Sequence, residues 1–118
     1  MTETFRDLKV WKKAHELVLL AYALSRRFPK DEQYGLTLQL RRAVVSVAAN
    51  IVEGWKRRTD KDNAHLLNIA EGSLEESKYL FILSHDVGYL TTSDYQRASD
   101  LCDEIGRMLN GLSRSLRP

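Results

Sequence analysis

Four stretches of this chain repeat apolar residues at spacings of three and four, with only short turn-like segments between them. That pattern is the signature of amphipathic helices that must hide one face against each other. In the first stretch Trp11, Ala14, Leu17, Val18, Ala21 and Leu24 form one stripe, which predicts a helix over Leu8 to Arg27. Pro29 stops it, because a residue before proline is pushed out of the helical region. The second stripe is Leu36, Leu40, Ala43, Val44, Val47, Ala48 and Ile51, running to about Trp55 or Arg57. Its valines are weak helix formers, so packing has to hold this segment.

Thr59 followed by Asp62 has the spacing of a capping box, with Asp60 and Asp62 at the positive end of the helix dipole. The third helix therefore starts there and carries Leu66, Leu67, Ile69, Ala70, Leu74, Leu80, Phe81 and Leu83 to about Val87. Gly88 stands where a left-handed C-terminal cap belongs. Ser93 and Gln96 suggest a second capping box, and Tyr95, Ala98, Leu101, Cys102, Ile105, Met108, Leu109, Leu112 and Leu116 form the fourth stripe. Asn110 and Gly111 are expected to do no more than fray the last turn. Four helices with short loops predict an all-α, antiparallel up-down bundle, a single domain over residues 1–118.

Composition narrows the reading. Hydrophobic residues at 43% with charged residues at 29% exclude a mainly disordered chain. The lone Cys102 can form no internal disulfide, and no apolar run is long enough to cross a membrane. A cytoplasmic protein with no membrane partner is the expectation. Net charge is only +2, but it is unevenly spread. Residues 1–30 hold seven cations against three carboxylates, and 31–58 five against three. Residues 59–90 reverse the sign, with two against six. This asymmetry fits a polyanion-binding face, and equally fits subunits of opposite sign meeting each other.

Catalytic chemistry finds no foothold. A carboxylate-bridged di-iron bundle needs Glu-x-x-His on two helices, and only Asp62 to His65 approximates that spacing, where capping already explains Asp62. Cys102 lies on an apolar stripe, and no nucleophile elbow or phosphate-cradling glycine loop occurs. The expectation is a non-enzyme with no catalytic residue, no metal and no cofactor. On the second helix Gln39, Arg42, Ser46, Asn50 and Glu53 share a face. That face is either simply solvated, or it holds Asn50 and Glu53 partly buried and hydrogen-bonded across the bundle or a subunit boundary. The pair Arg41 and Arg42 and the cluster Lys56, Arg57 and Arg58 either complement the helix and solvent or contact phosphates, with Trp55 available for base stacking.

Several blocks, in order, are also recognisable. They are Phe5-Arg6-Asp7-Leu8-Lys9-Val10-Trp11, Phe28-Pro29-Lys30 with Tyr34-Gly35-Leu36, Gln39-Leu40-Arg41-Arg42-Ala43 with Asn50-Ile51 and Glu53-Gly54, and Asn68-Ile69-Ala70 with Gly72-Ser73-Leu74. Together they resemble the family named for proteins encoded in 23S rRNA intervening sequences, which is similar to the accessory variability proteins of diversity-generating retroelements. The resemblance implies a four-helix bundle assembled as a homopentameric ring. It implies no known activity, but the accessory variability proteins bind nucleic acid and a reverse transcriptase, which makes RNA or DNA, and a reverse transcriptase or another protein, the candidate partners. Arg41, Arg42, Arg57 and Arg58 match basic positions of its blocks, and Asn50, Glu53 and Gly54 match its most recognisable short motif, read here as structural. Trp55-Lys56 departs from the aromatic and small residue common there. The function expected is binding of structured RNA or other nucleic acid through basic residues of helices one and two. The alternative is a protein-interaction scaffold with no nucleic-acid site.

Overall fold

The computed structural model describes residues 4–116. It contains helices α1 (Lys9–Ser25), α2 (Leu36–Lys56), α3 (Asp60–Asp86) and α4 (Thr92–Ser115), with 3-10 turns at Phe5–Asp7 and Lys30–Glu32. No strand occurs among the described residues. At about 1.5 Å per residue α3 is roughly 40 Å long, so in a molecule of 44 × 24 × 23 Å it must lie along the long axis. The three residues 57–59 between α2 and α3 then force the chain to reverse.

Cross-helix pairs show the direction of every seam they join. Ser46 meets Ser73, while Gly54, further along α2, abuts Asn63, nearer the start of α3. Glu71 meets Ser113 and Lys78 meets Asp103, while Lys13 meets Glu104 and Arg27 meets Asp94. As one number rises its partner's falls, so these neighbours are antiparallel. Each helix packs on its sequence neighbours and α1 closes against α4, while the diagonal helices meet only through the side chains of the shared core.

Caps explain the boundaries. Thr59 Oγ1 accepts from the Asp62 backbone N–H at 3.1 Å, as its spacing suggests. At the other end of α3, Gly88 takes φ +88°. Its N–H donates to His85 O at 3.0 Å and that of Tyr89 to Ser84 O at 2.9 Å, the paired bonds of a Schellman motif. For α4 the expected Ser93–Gln96 box is corrected: Thr91 is the N-cap, accepting from Asp94 N–H at 3.0 Å. Gln96 instead donates to Asp100. Helix α1 ends at Ser25, two residues short of expectation. Helix α4 runs through Asn110 and Gly111 to Ser115.

The second stripe is buried throughout, with Leu40, Val44 and Val47 at 0% exposure. On α1, Val10 and Leu20 join the core, while Trp11 and Val18 pack at its margin. Ile69 departs from its expected stripe and is 40% exposed. Burying each large apolar side chain contributes about 1.5–3 kcal/mol, which is how a valine-rich α2 stays helical. Gly54 has a separate role. A Cβ there would stand 2.6 Å from Asn63 Oδ1 and 3.5 Å from Asn63 O, so glycine leaves room for the Asn63 amide where α2 and α3 meet before the chain turns.

Candidate nucleic-acid interface

An up-down topology gathers residues far apart in the chain at two ends. One end joins the start of α1, the end of α2, the start of α3 and the end of α4. In these terminal turns and their connections stand Arg6, Lys9, Lys12, Lys56, Arg57, Arg58, Lys61 and Arg114, all exposed. These eight cations face four carboxylates, Asp7, Glu53, Asp60 and Asp62. The same count at the opposite end gives three cations, Arg26, Arg27 and Lys30, against Asp31, Glu32, Asp86 and Asp94. The basic excess is therefore a property of one end as well as of two helices.

Within the basic end, Lys56, Arg57 and Arg58 have no side-chain hydrogen bond or ion pair among the described residues. Trp55, beside them, is 37% exposed. Three cations next to an indole complement the two things that a nucleic-acid strand offers, phosphate charge and a base face. On α1, Trp11 stacks on the exposed His15 ring at 5.1 Å and meets Phe5 edge-on at 5.0 Å.

Arg41 and Arg42 sit elsewhere. The span from Arg41 to Lys56 is fifteen residues, roughly 22 Å along the helix. Arg41 Nε donates to Ser25 Oγ at 2.9 Å, and its guanidinium lies 4.5 Å over the Tyr22 ring, so it ties α1 to α2. Arg42 is exposed and has no side-chain partner among the described residues.

The polar face of α2 divides. Ser46 Oγ and Ser73 Oγ share a hydrogen bond of 2.7 Å across the α2–α3 seam. Asn50 Nδ2 donates to Ser46 O at 2.8 Å and Ser46 Oγ at 3.1 Å, so its bonds lie within its own helix rather than across the bundle. Glu53, expected as partly buried in the sharper reading, is exposed. Four residues span Ser46 to Asn50, and one helical turn brings them together. Sequence reasoning missed Ser73 as the partner and Arg6, Lys61 and Arg114 as members of the basic end.

Shifted titrations belong to the scaffold. Burial pushes the Cys102 thiol up to about 12, which makes it a poor nucleophile. A hydrogen bond to Glu104 raises Lys13, and one to Glu75 raises Lys78. Tyr89 is raised because its hydroxyl donates to Glu32 Oε2 at 2.9 Å. Among the described residues, no three His, Cys, Asp or Glu side chains group as a metal site. No helix there is long and apolar enough to cross a membrane.

Fold and surface together define a helical bundle with a cluster of exposed cations at one end. The family model of the 23S rRNA-intervening sequence proteins matches residues 6–111, and the chain belongs to that family. Among solved structures it is similar to a protein of unknown function from the S23 ribosomal protein family of Bacteroides thetaiotaomicron. The two are 24% identical, with a TM-score of 0.82, over 88% of this chain and 97% of the other. That likeness confirms the bundle fold. No curated protein matches.

Proposed function

We propose that the chain is a non-enzymatic, self-associating helical bundle that binds structured RNA or other nucleic acid through the basic residues of α1 and α2. The observation that carries this reading is the set Lys56, Arg57 and Arg58, exposed and without side-chain partners at an end where eight cations meet four carboxylates. Unpaired cations release counterions from a polyanion when they replace them, and that gain does not require a sequence-reading motif. Lys9 and Lys12 of α1 extend the surface, and Trp55 adds a stacking face.

The test is the affinity for a labelled structured RNA measured across a range of salt concentrations. Binding that weakens steeply with salt, and that collapses in the Lys56→Gln, Arg57→Gln, Arg58→Gln variant, supports the reading. Absence of binding at low ionic strength removes it. One observation favours the second reading, a protein-interaction scaffold: α3 and its C-cap expose Ile69, Tyr79, Ile82 and Val87 to solvent, at 40–59% each. Under that reading the three cations are dispensable for partner capture.

A further inference from the structure

Beside the basic end, α1 carries an aromatic stack that cations alone leave unexplained. Trp11 and His15 have the i, i+4 spacing that sets two side chains one turn apart on the same helix face. Their rings lie nearly parallel, with 8° between the planes and 5.1 Å between the centroids. Phe5 braces Trp11 edge-on, at 5.0 Å and 79°. Phe5 and Trp11 are half-buried, and Trp11 packs against the core. Two members of the stack are thus held in place, and the third, His15, is exposed. No hydrogen bond or ion pair engages the His15 ring among the described residues, so only its contact with Trp11 orients it. One face of the imidazole is covered and the other is open.

The surroundings of that open face are cationic. At about 100° per residue, Lys12 lies roughly 60° round α1 from His15. It is exposed and has no side-chain partner among the described residues. Lys9 and Arg6 follow toward the end of the bundle, both exposed. Glu16, the carboxylate next in sequence, points about 100° away and lies 3.7 Å from Lys13. Leu19, one turn beyond His15, is 58% exposed and adds an apolar flank. A flat ring with free cations at its side suits a nucleotide whose base is unpaired. A base inside a duplex has both faces covered by its neighbours, whereas a loop base can lay one face on His15 while its phosphate meets Lys12.

We infer that the Trp11–His15 stack is a platform for an unpaired nucleobase, by which the chain distinguishes looped or single-stranded RNA from a continuous duplex. The inference rests on the nucleic-acid reading proposed above and names what that surface recognises. It divides the labour between the two helices: Lys56, Arg57 and Arg58 of α2 and its turn attract any polyanion, while His15 of α1 selects an unstacked base.

A comparison of two RNAs tests it. Fluorescence anisotropy measures the affinity of the native chain, His15→Ala and His15→Phe for a labelled stem with a uridine loop and for a blunt duplex with the same number of phosphates, at one low salt concentration. The native chain is expected to hold the stem-loop about tenfold more tightly than the duplex. His15→Ala should lose that preference with its duplex affinity unchanged, and His15→Phe, which keeps a flat ring, should retain it. A native chain that binds both RNAs equally, or a His15→Ala variant that keeps the preference, overturns the platform and leaves polyanion binding standing. Absence of binding to either RNA overturns both. Circular dichroism melts of the three proteins should coincide within a few degrees, because the side chain is exposed; a His15→Ala variant that melts far below native and weakens on both RNAs alike shows a structural ring and overturns the platform. As a second readout, 2-aminopurine placed in the loop should lose fluorescence on binding the native chain and His15→Phe, and keep it with His15→Ala. Unchanged emission with the native chain counts against stacking.

Discussion

The two ends of this bundle are built from the same residue types and use them in opposite ways. At the end holding the α1–α2 and α3–α4 loops, Arg27, Glu32 and Asp94 are spent on structure. Glu32 accepts from Tyr89 Oη at 2.9 Å and from the Leu36 backbone N–H at 3.2 Å, so one carboxylate caps α2 and ties the two loops. Phe28 packs on Tyr89 at 5.4 Å, and Arg27 bridges to Asp94 at 3.0 Å. At the other end Lys56, Arg57 and Arg58 stand without side-chain partners among the described residues. A charge whose partner lies within the chain has its electrostatics largely satisfied. A cluster of like charges without partners repels itself and gains by meeting a polyanion.

The comparison can be broken by exchanging the roles of the ends. The largest effect is expected for Lys56→Gln, Arg57→Gln, Arg58→Gln, which should reduce RNA affinity on the order of a hundredfold at low salt and flatten the salt slope by about 2–3. Its thermal stability should stay within about 0.5 kcal/mol of native, as for other exposed positions. If denaturant titration shows a large stability loss instead, the cations are structural. The opposite profile is expected of Glu32→Ala, a loss of about 1–2 kcal/mol from the uncapped α2 start with RNA affinity unchanged. Tyr89→Phe removes only one of those two bonds, so its melting temperature should fall less than that of Glu32→Ala.

A smaller effect sharpens the picture with pH. Cys102 in the unfolded chain loses its proton near 9.0, whereas the folded thiol holds it to about 12. Between those values the unfolded state binds fewer protons, so stability falls as pH rises. Tyr89, raised by Glu32, acts in the same direction above its ordinary range. Urea midpoints should therefore hold steady up to about pH 9 and decline above it. Alkylation of Cys102 at pH 8 should require unfolding; rapid labelling of the folded chain would show that the thiol is accessible.

The helices were legible because their periodicity is set by burial, which every residue of a stripe reports. The Thr59 cap and the Gly88 terminus were legible too, since each is a local motif with its own geometry. The start of α4 was not, because Thr91-x-x-Asp94 and Ser93-x-x-Gln96 both satisfy the capping pattern. In the fold, Thr91 caps, which places Asp94 in the positive first turn and within reach of Arg27. Asn50 was ambiguous for a similar reason, since a side chain four residues from Ser46 can be satisfied without crossing the bundle. The basic end was only half legible. Lys56 to Arg58 form a visible run, but Arg6, Lys61 and Arg114 join it only through the topology, which brings alternate helix ends together.

In the proposed function the exposed cations Lys56, Arg57 and Arg58 hold a polyanion at one end of the bundle. The most direct test of this is the slope of log affinity for a structured RNA against log salt, in the native chain and in the triple Lys56, Arg57, Arg58 replacement. A steep negative slope in the native chain that becomes shallower by about 2–3 in the variant is the predicted result. Equal slopes in the two proteins, or no binding at low salt, would contradict it.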